Sequence, residues 1–147
     1  LIEIVKSFEE ISDKKFILNF EQNLNQVNFF KSIEVVYGLR NFIGNANKFA
    51  NDKIYISVKS DSEFTSINIE DDGPGFSKDI LSKIGEPYIK SFSYIEKSKS
   101  KSGLGLGIFI GKTLLEKNYA NIIFRNSLTR NGAEIIITWK NNDLLSI

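Results

Sequence analysis

The apolar residues between positions 32 and 69 change period once, which restricts the chain to folds that mix helix with sheet. Val35, Val36, Leu39, Phe42, Ile43, Ala46, Phe49 and Ala50 recur at three and four residues. That spacing predicts an amphipathic helix over 32–50, with Ser32 as N-cap and Asn51-Asp52 as its stop. Ile54, Ile56 and Val58 then alternate with polar neighbours, and 64–69 answers them across Ser60-Asp61-Ser62-Glu63, a hairpin. Ile4, Val5, Phe8 and Ile11 predict a helix over 2–11, and Phe16-Ile17-Leu18-Asn19-Phe20 a strand. The pattern breaks down over 71–102, which holds Pro74, Pro87, many serines, Lys90, Lys97, Lys99 and Lys101. A helix over 104–117 and strands over 121–124 and 134–139, joined through Asn131-Gly132, complete the chain. With no internal repeat and no linker, 1–147 reads as a single helix-and-sheet domain of two layers.

Composition removes several chemistries. Cysteine is absent, so disulfides and thiolate metal sites are excluded; histidine is absent, so nucleophile–His pairs and His-ligated zinc are excluded too. The net charge of +1 gives no whole-domain attraction to nucleic acid or anionic lipid. No apolar run approaches the roughly 18 residues that span a bilayer. The chain starts at Leu1 and holds no methionine, as expected of a piece of a longer protein.

Three polar motifs are candidates for chemistry. Asn41, Asn45 and Lys48 stand at i, i+4 and i+7 of the 32–50 helix, on a stripe beside its apolar face. An amide oxygen suits Mg²⁺, and a lysine one turn on reaches phosphate; a solvated helix edge has the same composition. Glu70-Asp71-Asp72-Gly73-Pro74-Gly75-Phe76 follows a strand directly, leaving an acidic side chain at its end. Ionised Asp71 only accepts hydrogen bonds and so would favour adenine, which offers an amine, over guanine; a surface turn is the plain alternative. The run Gly103-Leu104-Gly105-Leu106-Gly107-Ile108 opens a helix, where close backbone approach and unpaired N–H groups suit phosphate; a hinge is the plain alternative.

Taken in order, these motifs resemble the GHKL ATPase superfamily and, within it, the ATP-binding domain of sensor histidine kinases. Asn41-Phe42-Ile43-Gly44-Asn45-Ala46-Asn47-Lys48-Phe49 is the N box and Asp71-Asp72-Gly73-Pro74-Gly75-Phe76 the G1 box. Gly85-Glu86-Pro87-Tyr88 looks like the F box and Gly103-Leu104-Gly105-Leu106-Gly107 like the G2 box. The stretch 103–116, with Gly132-Ala133 and Trp139, further resembles the RegB/PrrB-type redox sensor kinases.

The resemblance implies an α+β two-layer sandwich, a mixed five-stranded sheet covered on one face by about three helices. It implies ATP and Mg²⁺ as ligands, with Asn45 on the metal, Asn41 supporting it and Lys48 on phosphate. Phe49 would flank the base, Asp71 read adenine, and Gly73 and Gly75 shape the turn. Gly103, Leu104, Gly105, Leu106 and Gly107 would close over the phosphates, and 76–102 would be the ATP lid. The phosphate acceptor would be a histidine in a dimerisation domain of the same protein, missing from this chain, with a response regulator as indirect partner. This fragment would bind ATP with little turnover and contact neither nucleic acid nor membrane. It would be a cytoplasmic domain of a membrane-anchored kinase.

One departure separates subfamilies. GHKL hydrolases such as gyrase and the Hsp90 chaperones carry a glutamate base one helical turn before the metal asparagine, as do anti-sigma and mitochondrial-type protein kinases. Here Asn41 stands there, and an amide takes no proton from water near pH 7. A kinase is therefore favoured over a hydrolytic clamp. The alternative is a non-enzymatic nucleotide-binding regulatory module, a degenerate kinase domain. Lys97, Lys99 and Lys101 read as a solvated lid rather than a nucleic-acid surface. Phe16, Phe20, Phe64, Phe109 and Phe124 are expected to pack the core, and Tyr88 and Phe92 to pack the lid or dock on the missing domain.

Overall fold

The structure, a computed structural model, describes residues 1–21, 32–84 and 107–147. Its elements run α1 (Ile2–Glu9), β1 (Lys15–Phe20), α2 (Ile33–Phe49), β2 (Lys53–Ser60), β3 (Phe64–Asp71), α3 (Lys78–Ile84), α4 (Gly107–Lys117), β4 (Asn121–Asn126), β5 (Ala133–Lys140) and α5 (Asn141–Leu144). The strands form one sheet in the order β1-β2-β3-β5-β4. β1 is parallel to β2, the pair joined through α2, and the other pairings are antiparallel. The mixed five-stranded α+β arrangement expected from the sequence is the one observed.

Period-2 alternation decides which face is covered. Ile54, Ile56, Val58, Ile67, Ile69, Ile135, Ile137 and Trp139 are buried, and α2 and α4 supply Leu39, Phe42, Ile43, Ile108, Phe109 and Leu115 against them. Twelve of the largest side chains here are under 2% exposed, so burial of this face drives the fold. Ser32 accepts the Val35 N–H at 3.4 Å, and so α2 begins where its N-cap was expected. α2 and α4 cross closely because both carry glycine at the contact. A Cβ on Gly111 would lie 2.6 Å from the Phe42 ring, and one on Gly38 2.7 Å from Leu115.

Four details differ from the sequence reading. The start of the segment expected to lack pattern holds α3, with Phe76, Ile80 and Ile84 buried. Ile80, Leu81 and Ile84 do carry helical spacing, but it is short and sits among serines, lysines and turn residues. Phe20 and Phe64 are 37% and 40% exposed: Phe20 ends β1, and Phe64 shares the open face of β3 with Ser66, Asn68 and Glu70. The short α5 after β5 has no counterpart in the expected elements. Asn131-Gly132 does lie between β4 and β5, but the whole segment 127–132 forms the connection, closed by Ser127 N–H to the Gly132 carbonyl at 2.8 Å. Among the described residues no helix is long and apolar enough to cross a membrane.

Candidate functional site

α2 carries the first part of the site. Its inward face is fixed by Leu39, Phe42, Ile43 and Ala46, which leaves Asn41 and Asn45 half-buried and Lys48 exposed along the adjoining stripe. Asn41 donates through Nδ2 to the Tyr37 carbonyl at 2.8 Å, which directs its amide oxygen the other way. That oxygen meets the start of α4: a Cβ on Gly107 would lie 3.2 Å from Asn41 Oδ1. The last residue of the glycine-rich run thus opens a helix directly beside the N-box stripe. Gly103, Leu104, Gly105 and Leu106, the residues 85–88, and Phe92 lie outside the described residues. The side chain of Asn45 makes no hydrogen bond among the described residues, so its amide is available to a ligand. Lys48 Nζ stands 5.6 Å from the centroid of the Phe49 ring. Lys14 Nζ donates to the carbonyls of Asn47 and Lys48, satisfying orphan acceptors at the end of α2.

The turn after β3 supplies the second part. Asp71 is 2% exposed, at the last position of the strand, on the helix-covered face. Its Oδ1 accepts the N–H of Gly73 at 2.9 Å and of Ala133 at 3.3 Å, while Oδ2 has no hydrogen-bond partner among the described residues. Burial pushes the Asp71 carboxyl above the usual aspartate range, opposed by those two N–H bonds and by Lys14. Gly73 has no room for a side chain: a Cβ would lie 2.9 Å from the carbonyl carbon of Phe49 and closer still to its oxygen. Gly75 adopts φ +80, and its Cβ would lie 2.7 Å from Asn126 Oδ1. The turn is therefore pressed onto the end of α2, so Asp71 lies by Phe49, while Asn41 and the start of α4 meet further back along the same helix.

Two residues to which the sequence reading gives no role hold this geometry. Asp72 accepts the N–H groups of Asn51, Asp52 and Lys53 at 2.8 to 3.1 Å, tying the turn to the start of β2. Partial burial opposes ionisation of Asp72, but the three N–H bonds outweigh it and hold the carboxyl below its usual range. Asn126 accepts the Phe76 N–H at 2.7 Å and donates to the Phe76 carbonyl at 2.9 Å, clamping the chain as it leaves the turn. On the opposite face of the sheet a groove of about 560 Å³ runs between Tyr55, Asn68, Glu70 and Arg130. It is separate from the Asp71 end, which lies under the helices.

The donor set fits a nucleotide with a hard cation. Among the described residues no three acidic side chains converge on a metal position, so a cation would draw on an amide oxygen and on the ligand's own phosphates. Asn45 is an available amide, Lys48 is a cation on the same stripe beside the Phe49 ring, and α4 begins next to Asn41. The buried acceptor at the other end suits an amine.

A profile of the family described as histidine kinase-, DNA gyrase B-, and HSP90-like ATPase matches residues 31–143. The chain is 40% identical over 98 residues to the sensor histidine kinase RegB of Cereibacter sphaeroides, covering 64% of this chain and 21% of that protein. It is 33% identical over 91 residues to the sensor histidine kinase CssS of Bacillus subtilis, covering 62% of this chain and 18% of that protein. The chain spans about a fifth of the length of these relatives. A nucleotide-free catalytic domain of histidine kinase ThkA matches with a TM-score of 0.70 at 18% identity, over 97% of this chain and 91% of that one, a likeness of fold.

Proposed function

This chain belongs to the histidine kinase-, DNA gyrase B-, and HSP90-like ATPase family, and on that premise we propose that it binds Mg²⁺-ATP as the catalytic domain of a sensor histidine kinase. The observation that carries this reading is Asp71, a buried carboxylate held through Oδ1 by two N–H groups with Oδ2 left to a ligand. Ionised, it accepts the exocyclic amine of adenine and disfavours guanine, whose corresponding oxygen is an acceptor. Gly73 keeps the turn flush with α2 and Gly75 keeps it close to Asn126; Phe49 would flank the base.

From the base, the groove leads along α2 to the phosphates. Lys48 offsets their charge, and the N–H groups of Gly107 and of the preceding Gly103, Leu104, Gly105 and Leu106 cradle them. Asn45, supported by Asn41, offers an amide oxygen to Mg²⁺. The metal, when bound, neutralises charge on the β- and γ-phosphates. The chain's own task is to orient the γ-phosphoryl group and leave it exposed. In the transfer, the bond from the γ-phosphorus to the bridging oxygen breaks, a bond to an imidazole nitrogen forms, and ADP leaves. This sequence contains no histidine, so the imidazole belongs to another domain, the dimerisation domain of the same protein, and a response regulator takes the phosphoryl group afterwards. Asn41 cannot serve as a base toward water, which keeps hydrolysis slow. Residues 1–147 act as one catalytic domain, with the lid inside 76–102 held at its start by Phe76, Ile80 and Ile84.

ATP titrated with and without Mg²⁺ into the wild-type chain, Asn45→Ala and Lys48→Ala tests the reading. Wild type gains affinity with Mg²⁺, Asn45→Ala loses that gain, and Lys48→Ala weakens both conditions. A folded wild-type chain that fails to bind ATP at millimolar concentration would instead be a regulatory module for some other ligand.

A further inference from the structure

On the open face of the sheet, directly behind Asp71, lies a polar cluster that the nucleotide groove does not use. Glu70 precedes Asp71 on β3, so its side chain points to the opposite face, beside Tyr55 and Glu134 in the strand register. Its Oε2 accepts the hydroxyl of Ser127 at 2.8 Å and faces Arg130 Nε at 3.4 Å. The Arg130 guanidinium stacks over the Tyr55 ring, 3.5 Å from its centroid, and so bridges the loop to β2. Ser127 is 6% exposed and organises the loop twice more. Its Oγ accepts the Arg130 N–H at 3.1 Å, and its N–H donates to the Gly132 carbonyl at 2.8 Å.

The chain of bonds ends at Asp71. Gly132 packs onto Asp71 so tightly that a Cβ there would lie 2.5 Å from Asp71 Oδ1. The next residue, Ala133, donates to that same oxygen. Glu70 therefore fixes, through Ser127 and Arg130, the segment that orients the Asp71 carboxylate on the other side of the sheet. Glu134, the like-charged neighbour of Glu70, pairs with Arg125 and accepts from Asn68 Nδ2 at 2.8 Å, while Asn68 Oδ1 is buried with no hydrogen-bond partner among the described residues.

We infer that Glu70, Ser127 and Arg130 form a latch that positions Asp71 for base recognition. They are positioning residues, and the inference rests on the ATP-binding reading above. Adenine selectivity is thereby set in part by residues that touch no nucleotide. A stack and an ion pair in Arg130 also make arginine specific there, since lysine cannot reproduce the planar fork.

Calorimetric titration of ATP and of inosine triphosphate, which carries an oxygen where ATP carries the amine, tests the latch. The chains are wild type, Ser127→Ala, Ser127→Thr, Arg130→Ala and Arg130→Lys, each checked for folding by circular dichroism. Loss of one bond in the latch should weaken ATP by about fivefold in Ser127→Ala and in Arg130→Ala. Inosine triphosphate should change by less than about twofold, Ser127→Thr should retain the ATP preference, and Arg130→Lys should not. Equal weakening of both nucleotides, or an unchanged ATP preference in Ser127→Ala and Arg130→Lys, overturns the latch while leaving ATP binding intact. A wild-type chain without any ATP preference removes the underlying reading and the latch together.

Discussion

Gly73 lies against the last turn of α2, where a Cβ would sit 2.9 Å from the carbonyl carbon of Phe49 and collide with its oxygen. That contact joins the carboxylate end of the groove to the helix that carries Asn45 and Lys48. Gly73→Ala must move backbone against backbone, with no flexible side chain to yield. It should lower ATP affinity by more than about tenfold, because small misplacements of a binding group are costly. Titration of a variant that still shows a cooperative melt checks this; unchanged affinity would mean the turn shifts without consequence.

The Asp72 carboxylate takes three backbone N–H groups and has no assigned contact with nucleotide. Asp72→Ala should cost about 1–2 kcal/mol in urea unfolding, the range for a lost cap. The sign with pH follows from its lowered pKa. The ionised form is favoured in the fold, so its contribution is present above the unfolded pKa and is lost as pH falls through the lower folded value. The destabilisation by Asp72→Ala should therefore shrink on strong acidification.

Gly111 is a packing position rather than a ligand position. Adding a methyl 2.6 Å from the Phe42 ring forces α2 and α4 apart or twists Phe42 from its rotamer. Gly111→Ala should destabilise by about 1–3 kcal/mol, as overpacked cores do. A thermal melt beside Gly44→Ala, where the Phe8 ring is 3.5 Å from the new Cβ, separates crowding from a general effect of alanine.

Asp71 opposes the fold it serves. Burial raises its pKa, so the ionised form that recognises an amine is destabilising above the unfolded pKa. Asp71→Asn should leave the nucleotide-free chain as stable as wild type or more stable at pH 7, while abolishing the adenine preference. Carboxyl carbon resonances followed by NMR should show Asp71 titrating above the ordinary aspartate range. The adenine preference should be present above that midpoint and fade as pH falls through it.

The parts of this site that follow from local pattern were legible in the sequence. The 32–50 periodicity places Asn41, Asn45 and Lys48 on one stripe, and the strand before Asp71 puts that carboxylate at a strand end. The parts that depend on distant pairing were not. Asn126 clamps Phe76 from 50 positions away, and Ser127 reaches Glu70 across 57. Neither residue stands in a periodic pattern or a motif, so only the β3–β5–β4 order brings them to the turn. Lys14 was equally silent, since a lysine before a strand reads as solvated until α2 ends beside it. Phe20 and Phe64 erred the other way: their apolar type predicts burial, but Phe20 stands at the end of β1 and alternation turns Phe64 to the open face of β3.

Calorimetric titration of ATP and GTP into the wild-type chain and into Asp71→Asn tests the assignment of the groove most directly. Saturable ATP binding to wild type, absent for GTP and lost in Asp71→Asn, is the expected result. ATP binding that survives Asp71→Asn undiminished, or equal binding of GTP, would contradict it.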